Sequence, residues 1–237
     1  MPRIPLIEDL TKEPIPPGSN VIVEYEATSQ WFNASVTIAA GWLRQNGKVS
    51  YSAVAQSPAK VRETLNRLGI DCGRLEAGPH DEEPLRIWDF YASTLGLKSN
   101  EKLQVSSMKV ADHSIFYVKQ QFVLEQNPDR LAFVDDWSSY SRFNDEKSWV
   151  EFLLTRDFPV CSRNKMSNFG GLLKGIHSSW VYNRLESAAD GIIDFKLEEE
   201  GRTLRDVMRI RSMRSVHFDR EWHELKIGDN FEVTLEK

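Results

Sequence analysis

Signals for strands and helices alternate along most of this sequence. That alternation restricts the chain to crossover units, which build a mostly parallel sheet with helices on its faces. The pattern starts at a turn, Pro16-Pro17-Gly18-Ser19-Asn20, which feeds the apolar run Val21-Ile22-Val23 and predicts a first strand over residues 21–25. Behind it Trp31, Phe32, Val36, Ile38, Ala39, Trp42 and Leu43 recur at helical spacing, with Thr28 or Ser29 as N-cap and Gly47 as the stop. Residues 49–55 read as a second strand, and Ser57-Pro58 supplies a cap and a first-turn proline for a helix that ends before Gly69. A polar loop over 77–84, a strand over 85–91 and a turn over 96–101 follow. Next come a helix from Asp112 through about residue 125, closed by Asn127-Pro128, and a buried strand at Leu131-Ala132-Phe133-Val134. The sequence then predicts a helix over 145–155, a strand over 159–162, a glycine-bearing loop at Gly170-Gly171 and a final set of strands from Gly191 onward.

With 237 residues and 41% hydrophobic content the chain can bury one large core, and a single domain over 1–237 accommodates every element. Cys72 and Cys161 lie in separate segments with no C-x-x-C pairing, as expected in a reducing cytosol. No apolar stretch approaches the roughly 20 residues of a membrane span, so a soluble cytoplasmic protein is expected. A net charge of −5 disfavours general attraction to nucleic acid. One basic strip stands out: Arg202, Arg205, Arg209, Arg211 and Arg214 crowd residues 202–215, just after Glu198-Glu199-Glu200. A hairpin turning at Gly201-Arg202, with its acidic edge paired to its basic one, is preferred over an anion-binding surface.

The order and spacing of several landmarks resemble the KaiC-like branch of the RecA-type ATPases, in the single-domain form found mainly in archaea. These landmarks are the entry Ile15-Pro16-Pro17-Gly18-Ser19-Asn20, the strand and helix over 51–68 with Ser57-Pro58, and the Walker B-like strand over 130–139. The segment over 185–195 looks like the family's L-x-x-x-A-D-G-I-I. The last landmark runs over 209–233, with Met213-Arg214, His217, Trp222-His223 and Phe231-Glu232-Val233. The resemblance implies a three-layer α/β sandwich with a mostly parallel central sheet and a C-terminal antiparallel hairpin region.

The same resemblance makes the missing chemistry visible. Between first strand and first helix a phosphate-binding loop reads G-x-x-x-x-G-K-[ST], whose backbone N–H groups, lysine and hydroxyl hold phosphates and Mg²⁺. Here stand Tyr25, Glu26, Ala27, Thr28, Ser29, Gln30, Trp31 and Phe32. Tyr25, Thr28 and Gln30 occupy the family's glycine positions, Trp31 the lysine position and Phe32 the Mg²⁺-binding hydroxyl position, while Glu26 adds a charge that repels phosphate. Read from the residues alone, Trp31 and Phe32 are core aromatics of the helix, which leads to the same filled site. After the second strand, where the family carries two glutamates that activate water, this chain has Ala55 and Gln56, neither of them a general base. Asp135 matches the Walker B aspartate, with Asp136 beside it; without a nucleotide it is expected to bond the neighbouring helix start or serines such as Ser138.

In the family the C-terminal hairpin reaches the next subunit's nucleotide, which makes Arg209, Arg211, Arg214 and His217 candidates for a trans or anion contact. Ser212 replaces the family's lysine two residues before Arg214, which weakens that contribution. His217 and His223 match no zinc spacing, and no nucleophile elbow or zinc-protease helix occurs. The expectation is a chain that is not an enzyme and has no metal and no cofactor. It is read as a non-hydrolytic KaiC-like pseudo-ATPase acting in regulation or signalling by contact with itself or with an active KaiC-like relative. The alternatives are a nucleic-acid-binding RecA-like protein and an atypical ATPase using Asp135 with Thr28, Ser29 and Gln30.

Overall fold

The computed structural model describes residues 3–77, 83–113, 129–201 and 203–236. Most of the predicted helix from Asp112 with its Asn127-Pro128 stop, most of the predicted loop over 77–84, and Arg202 lie outside the described residues. Nine strands form one sheet among these residues: β1 (Asn20–Tyr25), β2 (Lys48–Ala53), β3 (Leu85–Asp89), β4 (Arg130–Val134), β5 (Ser167–Leu173), β6 (Gly191–Glu200), β7 (Thr203–Met213), β8 (His223–Ile227) and β9 (Val233–Leu235). Their order is β3-β2-β4-β5-β1-β6-β7-β8-β9. The first six in that order pair parallel and the remaining ladders are antiparallel, as the sequence predicts.

Seven helices surround it among the described residues: α1 (Trp31–Arg44), α2 (Pro58–Arg67), α3 (Cys72–Leu75), α4 (Tyr91–Thr94), α5 (Glu146–Phe152), α6 (Phe158–Arg163) and α7 (Ser179–Ala188). Alternate residues of each strand feed two cores. Val21, Val23, Val49, Tyr51, Leu131 and Phe133 meet α1 and α2 on one face. On the other, Ile22 and Leu172 pack with Trp137, Trp149, Phe158, Val181 and Leu185, which come from α5 to α7 and the 3-10 turn Trp137–Arg142. The N-terminal segment closes the first core with Ile4, Ile7 and Leu10, held by the buried Glu8 carboxylate, which accepts from Ile4 N at 2.8 Å and Ile15 N at 2.7 Å.

Local signals and tertiary demands part at four places. Ser57 caps α2, accepting from Lys60 N at 3.2 Å ahead of Pro58, as expected. The start of α1, however, is Gln30 with no side-chain cap, and Ser29 instead turns back to the Glu26 carbonyl at 2.7 Å. Its stop is Asn46, at φ 62°, whereas Gly47 is required because a Cβ there would lie 2.2 Å from the Trp42 indole nitrogen. Residues 159–162, predicted as a strand, belong to α6, which continues α5 through the π-type segment Leu153–Asp157 and places Pro159 in its first turn. Gly170 and Gly171 sit not in a loop but inside β5, between β4 and β1.

Candidate functional site

The loop from β1 to α1, where the resemblance leads one to expect a phosphate cradle, does not have such a cradle's backbone. A nest of anion-binding N–H groups uses residues at positive φ, and no residue from 25 to 32 has one. Instead Ser29 N and Oγ both donate to the Glu26 carbonyl, Glu26 N donates to the Phe195 carbonyl at 3.1 Å, and the Glu26 carboxylate accepts from Leu197 N at 3.2 Å. The loop is thus stitched to itself and to β6. Ala27 and Thr28 are exposed at its crest.

Behind the loop the space is filled. Trp31, 2% exposed, lays its indole against Phe195 with ring centroids 5.7 Å apart, and its Nε1–H donates to the Asp135 backbone carbonyl at 2.9 Å. Gly171 makes this possible: a Cβ there would lie 2.3 Å from the Asp135 carbonyl oxygen, 2.5 Å from Trp31 Nε1 and 3.0 Å from Tyr25 Cε1. Gly170 does the same on the opposite face for the Trp137 ring, 2.2 Å from its own ideal Cβ. Phe32 packs half-buried against the first core, and the Tyr25 phenol lies against the Asp136 carboxylate.

The Asp135 carboxylate, just past the end of β4, is spent on the β2–α2 connection. Its Oδ1 accepts from Val54 N at 2.8 Å and Ala55 N at 3.0 Å, and its Oδ2 from Gln56 N at 3.1 Å. Ala55 and Gln56 therefore enter the site through their backbones. The serine contacts expected of Asp135 belong to Asp136, which accepts from Ser138 N at 2.9 Å and Ser139 Oγ at 2.6 Å. No group of three or more His, Cys, Asp or Glu able to hold a metal occurs among the described residues.

Burial pushes the Asp135 carboxyl up to about 7, against the pull of the three N–H groups. Since the folded pKa lies above the unfolded 3.8, the folded state binds more protons between them, and stability from this group declines as pH rises from about 4 to about 7. Burial lowers the pKa of His113 and His177, which acts in the opposite sense below 6.5, so the readout is a difference between proteins. In urea unfolding, wild type should lose about 2–4 kcal/mol relative to Asp135→Asn between pH 4 and 7.5. A flat difference would show a carboxylate ionised throughout.

Tyr25 to Phe32, Ala55, Gln56 and Asp135 are thus brought together, but the basic candidates are placed elsewhere. Arg209 and Arg211 face a buried pair of acids: Asp194, which is fully buried, and Glu24, 4% exposed. Asp194 meets Lys174 Nζ at 2.7 Å and Arg209 Nε at 2.9 Å, while Arg211 Nη2 lies 2.7 Å from Glu24 and 3.2 Å from Glu186. Burial, then the Glu186 carboxyl, push Glu24 up to about 7 despite Arg211. Arg209 also covers the Trp222 ring at 4.4 Å, with Lys196 at 4.1 Å. Among the described residues of the strip, Arg205 alone follows the predicted pairing of acidic and basic hairpin edges, at 2.8 Å from Glu200.

Arg214 and His217 lie at the opposite end of the strands from Tyr25. Arg214 N donates to the Asp190 carbonyl and its guanidinium to the Ser187 carbonyl at 2.8 Å, and His217 pairs with Glu13 at 3.0 Å. Sequence reasoning missed Lys174, Glu24 and Asp194, because their partners are distant in the chain. A single acid set within or at the end of an apolar strand run, Val21-Ile22-Val23-Glu24 and Ile192-Ile193-Asp194-Phe195, was the available signal for the last two.

The fold class defined by this sheet and its strand–loop–helix entry is the RecA-type α/β sandwich. Among solved structures the chain is similar to a KaiC-like protein from the hyperthermophilic archaeon Pyrococcus horikoshii OT3. The TM-score is 0.74 at 16% sequence identity, covering 100% of this chain and 97% of that one. No protein-family model matches the sequence, and no curated protein matches it. No helix among the described residues is long and apolar enough to cross a membrane.

Proposed function

We propose that this chain is a non-hydrolytic KaiC-like protein, a pseudo-ATPase that acts in regulation or signalling by docking with another protein, an active KaiC-like ATPase being the partner of choice. The observation that carries this reading is the Trp31 indole, buried where a lysine would reach phosphates and pinned to the Asp135 carbonyl. Two further features support it. Asp135 gives three of its four lone-pair directions to backbone donors, and the positions of the water-activating glutamates hold alanine and glutamine, which meet it through their N–H groups. The nucleic-acid alternative loses support because Arg209 and Arg211 are engaged by Asp194 and Glu24.

Calorimetric titration with ATP and Mg²⁺ tests the first half. No heat of binding is expected, whereas micromolar affinity would be worth about 8 kcal/mol, be plainly measurable, and end the proposal. The second half is tested by mixing the protein with an intact KaiC-like ATPase. Co-elution and an altered hydrolysis rate are expected; an unchanged rate with separate elution would remove the docking role.

A further inference from the structure

A cavity of about 270 Å³ lies on the sheet face opposite α1 and α2, away from the β1–α1 loop. Its floor is a grid set by strand register. Arg86, Ser50, Ala132 and Asn168 stand side by side across β3, β2, β4 and β5, and Trp88, Ser52 and Val134 form the next row. Central parallel strands are covered on both faces and read as continuous apolar runs. β2 instead alternates, with Val49, Tyr51 and Ala53 buried toward α1 and α2 while Ser50 and Ser52 remain half-buried on the cavity side. Small side chains in the middle of each row and large ones at its ends make a trough about 14 Å across, three strand spacings.

One wall carries a buried charge with no carboxylate hydrogen-bonded to it among the described residues. Arg130 is 2% exposed, yet its guanidinium donates only to carbonyls, those of Val49 at 3.0 Å and Glu83 at 2.8 Å. Its Nε–H has no hydrogen-bond partner; the Glu83 carboxylate attracts it without bonding to it and is itself held by Lys102. Buried cations are ordinarily paired, because desolvation costs several kcal/mol otherwise. Across the floor, Asn168, 1% exposed, donates to Asp157 at 2.9 Å and leaves its Oδ1 without a partner. Val160 and Phe90 supply apolar wall.

We propose that this cavity is a binding site for a small organic acid, its carboxylate compensating Arg130 and its apolar body lying over Ser50, Ser52 and Ala132. A cavity of about 150 Å³ holds benzene, so this one suits roughly ten to twelve heavy atoms. The proposal is independent of whether the β1–α1 loop binds nucleotide.

The experiment is calorimetry on the full chain with three probes: 3-phenylpropionate, its uncharged isostere 3-phenylpropanamide, and inorganic phosphate. Saturable binding of 3-phenylpropionate is expected, with the amide weaker by about tenfold or more and phosphate weaker still. Ala132→Leu, which fills the trough, should abolish binding while the protein still unfolds cooperatively, and Arg130→Met should erase the preference for acid over amide. Should either variant fail to fold, the comparison of acid, amide and phosphate on wild type decides alone. Absence of binding by all probes, equal binding of acid and amide, or phosphate binding as well as the acid would each overturn the proposal.

Discussion

Gly171→Ala is expected to destabilise the protein by more than about 3 kcal/mol, a large loss for adding one methyl group. The added carbon would sit 2.3 Å from the Asp135 carbonyl oxygen, which belongs to the chain leaving β4 beside β5 and cannot move without disturbing that pairing. It would also sit 2.5 Å from Trp31 Nε1, which cannot give way without losing its hydrogen bond. Trp31→Ala should itself cost about 3–5 kcal/mol by opening a cavity. In the double variant the indole clash is gone but the carbonyl clash remains, so the combined loss should fall short of the sum while exceeding that of Trp31→Ala alone. Gly73→Ala is the control, because its nearest contact would be an ordinary 3.6 Å and its φ needs no glycine; urea midpoints should differ little from wild type. A Gly171→Ala protein as stable as this control would mean that the indole does not occupy the site as described.

Asp194→Ala should cost about 3 kcal/mol at pH 7, the lower end for breaking a buried ion cluster, since its cationic partners keep roughly a third of their surface in water. Lys174, Arg209 and Arg211 would lose their shared acceptor, and the three cations that converge on it would then repel one another. Glu24 would become the principal acid left for Arg211 and Lys174, so its raised pKa should fall toward the usual carboxylate range. Both outcomes can be read from urea unfolding across pH and from carboxyl chemical shifts. A loss below about 1 kcal/mol would place the cluster in the class of solvated surface pairs.

Much of the architecture was legible because its signals are short-range. Ser57-Pro58 announces a helix start whatever surrounds it, and two residues between a run of glutamates and a run of alternating arginines announce a hairpin, which β6 and β7 form. Errors came where a local pattern admits two answers. The run Pro159-Val160-Cys161-Ser162 is too short to distinguish strand from helix, and the helical stretch beginning at Glu146 carried it into α6. Thr28 and Ser29 are good caps by type, but the loop used Ser29 to close its own turn on Glu26. Gly170-Gly171 looked like a loop because glycine breaks strands; here it lies within one to make room for two tryptophans.

By itself the sequence determined that the chain is an α/β protein and that its first strand-to-helix connection contains no glycine and no lysine. Those are properties of residue type and spacing. Tertiary structure alone decided what stands there instead: an indole from residue 31 bonded to a carbonyl at 135 over a glycine at 171. It alone likewise decided that Arg209 and Arg211 of β7 turn inward to Asp194 and Glu24, and that four strands align two serines and an alanine into a trough below Arg130. Each of these depends on which strands lie side by side and in what register, and that is settled by the burial of both faces of the sheet at once, for which no local stretch of sequence carries a signal.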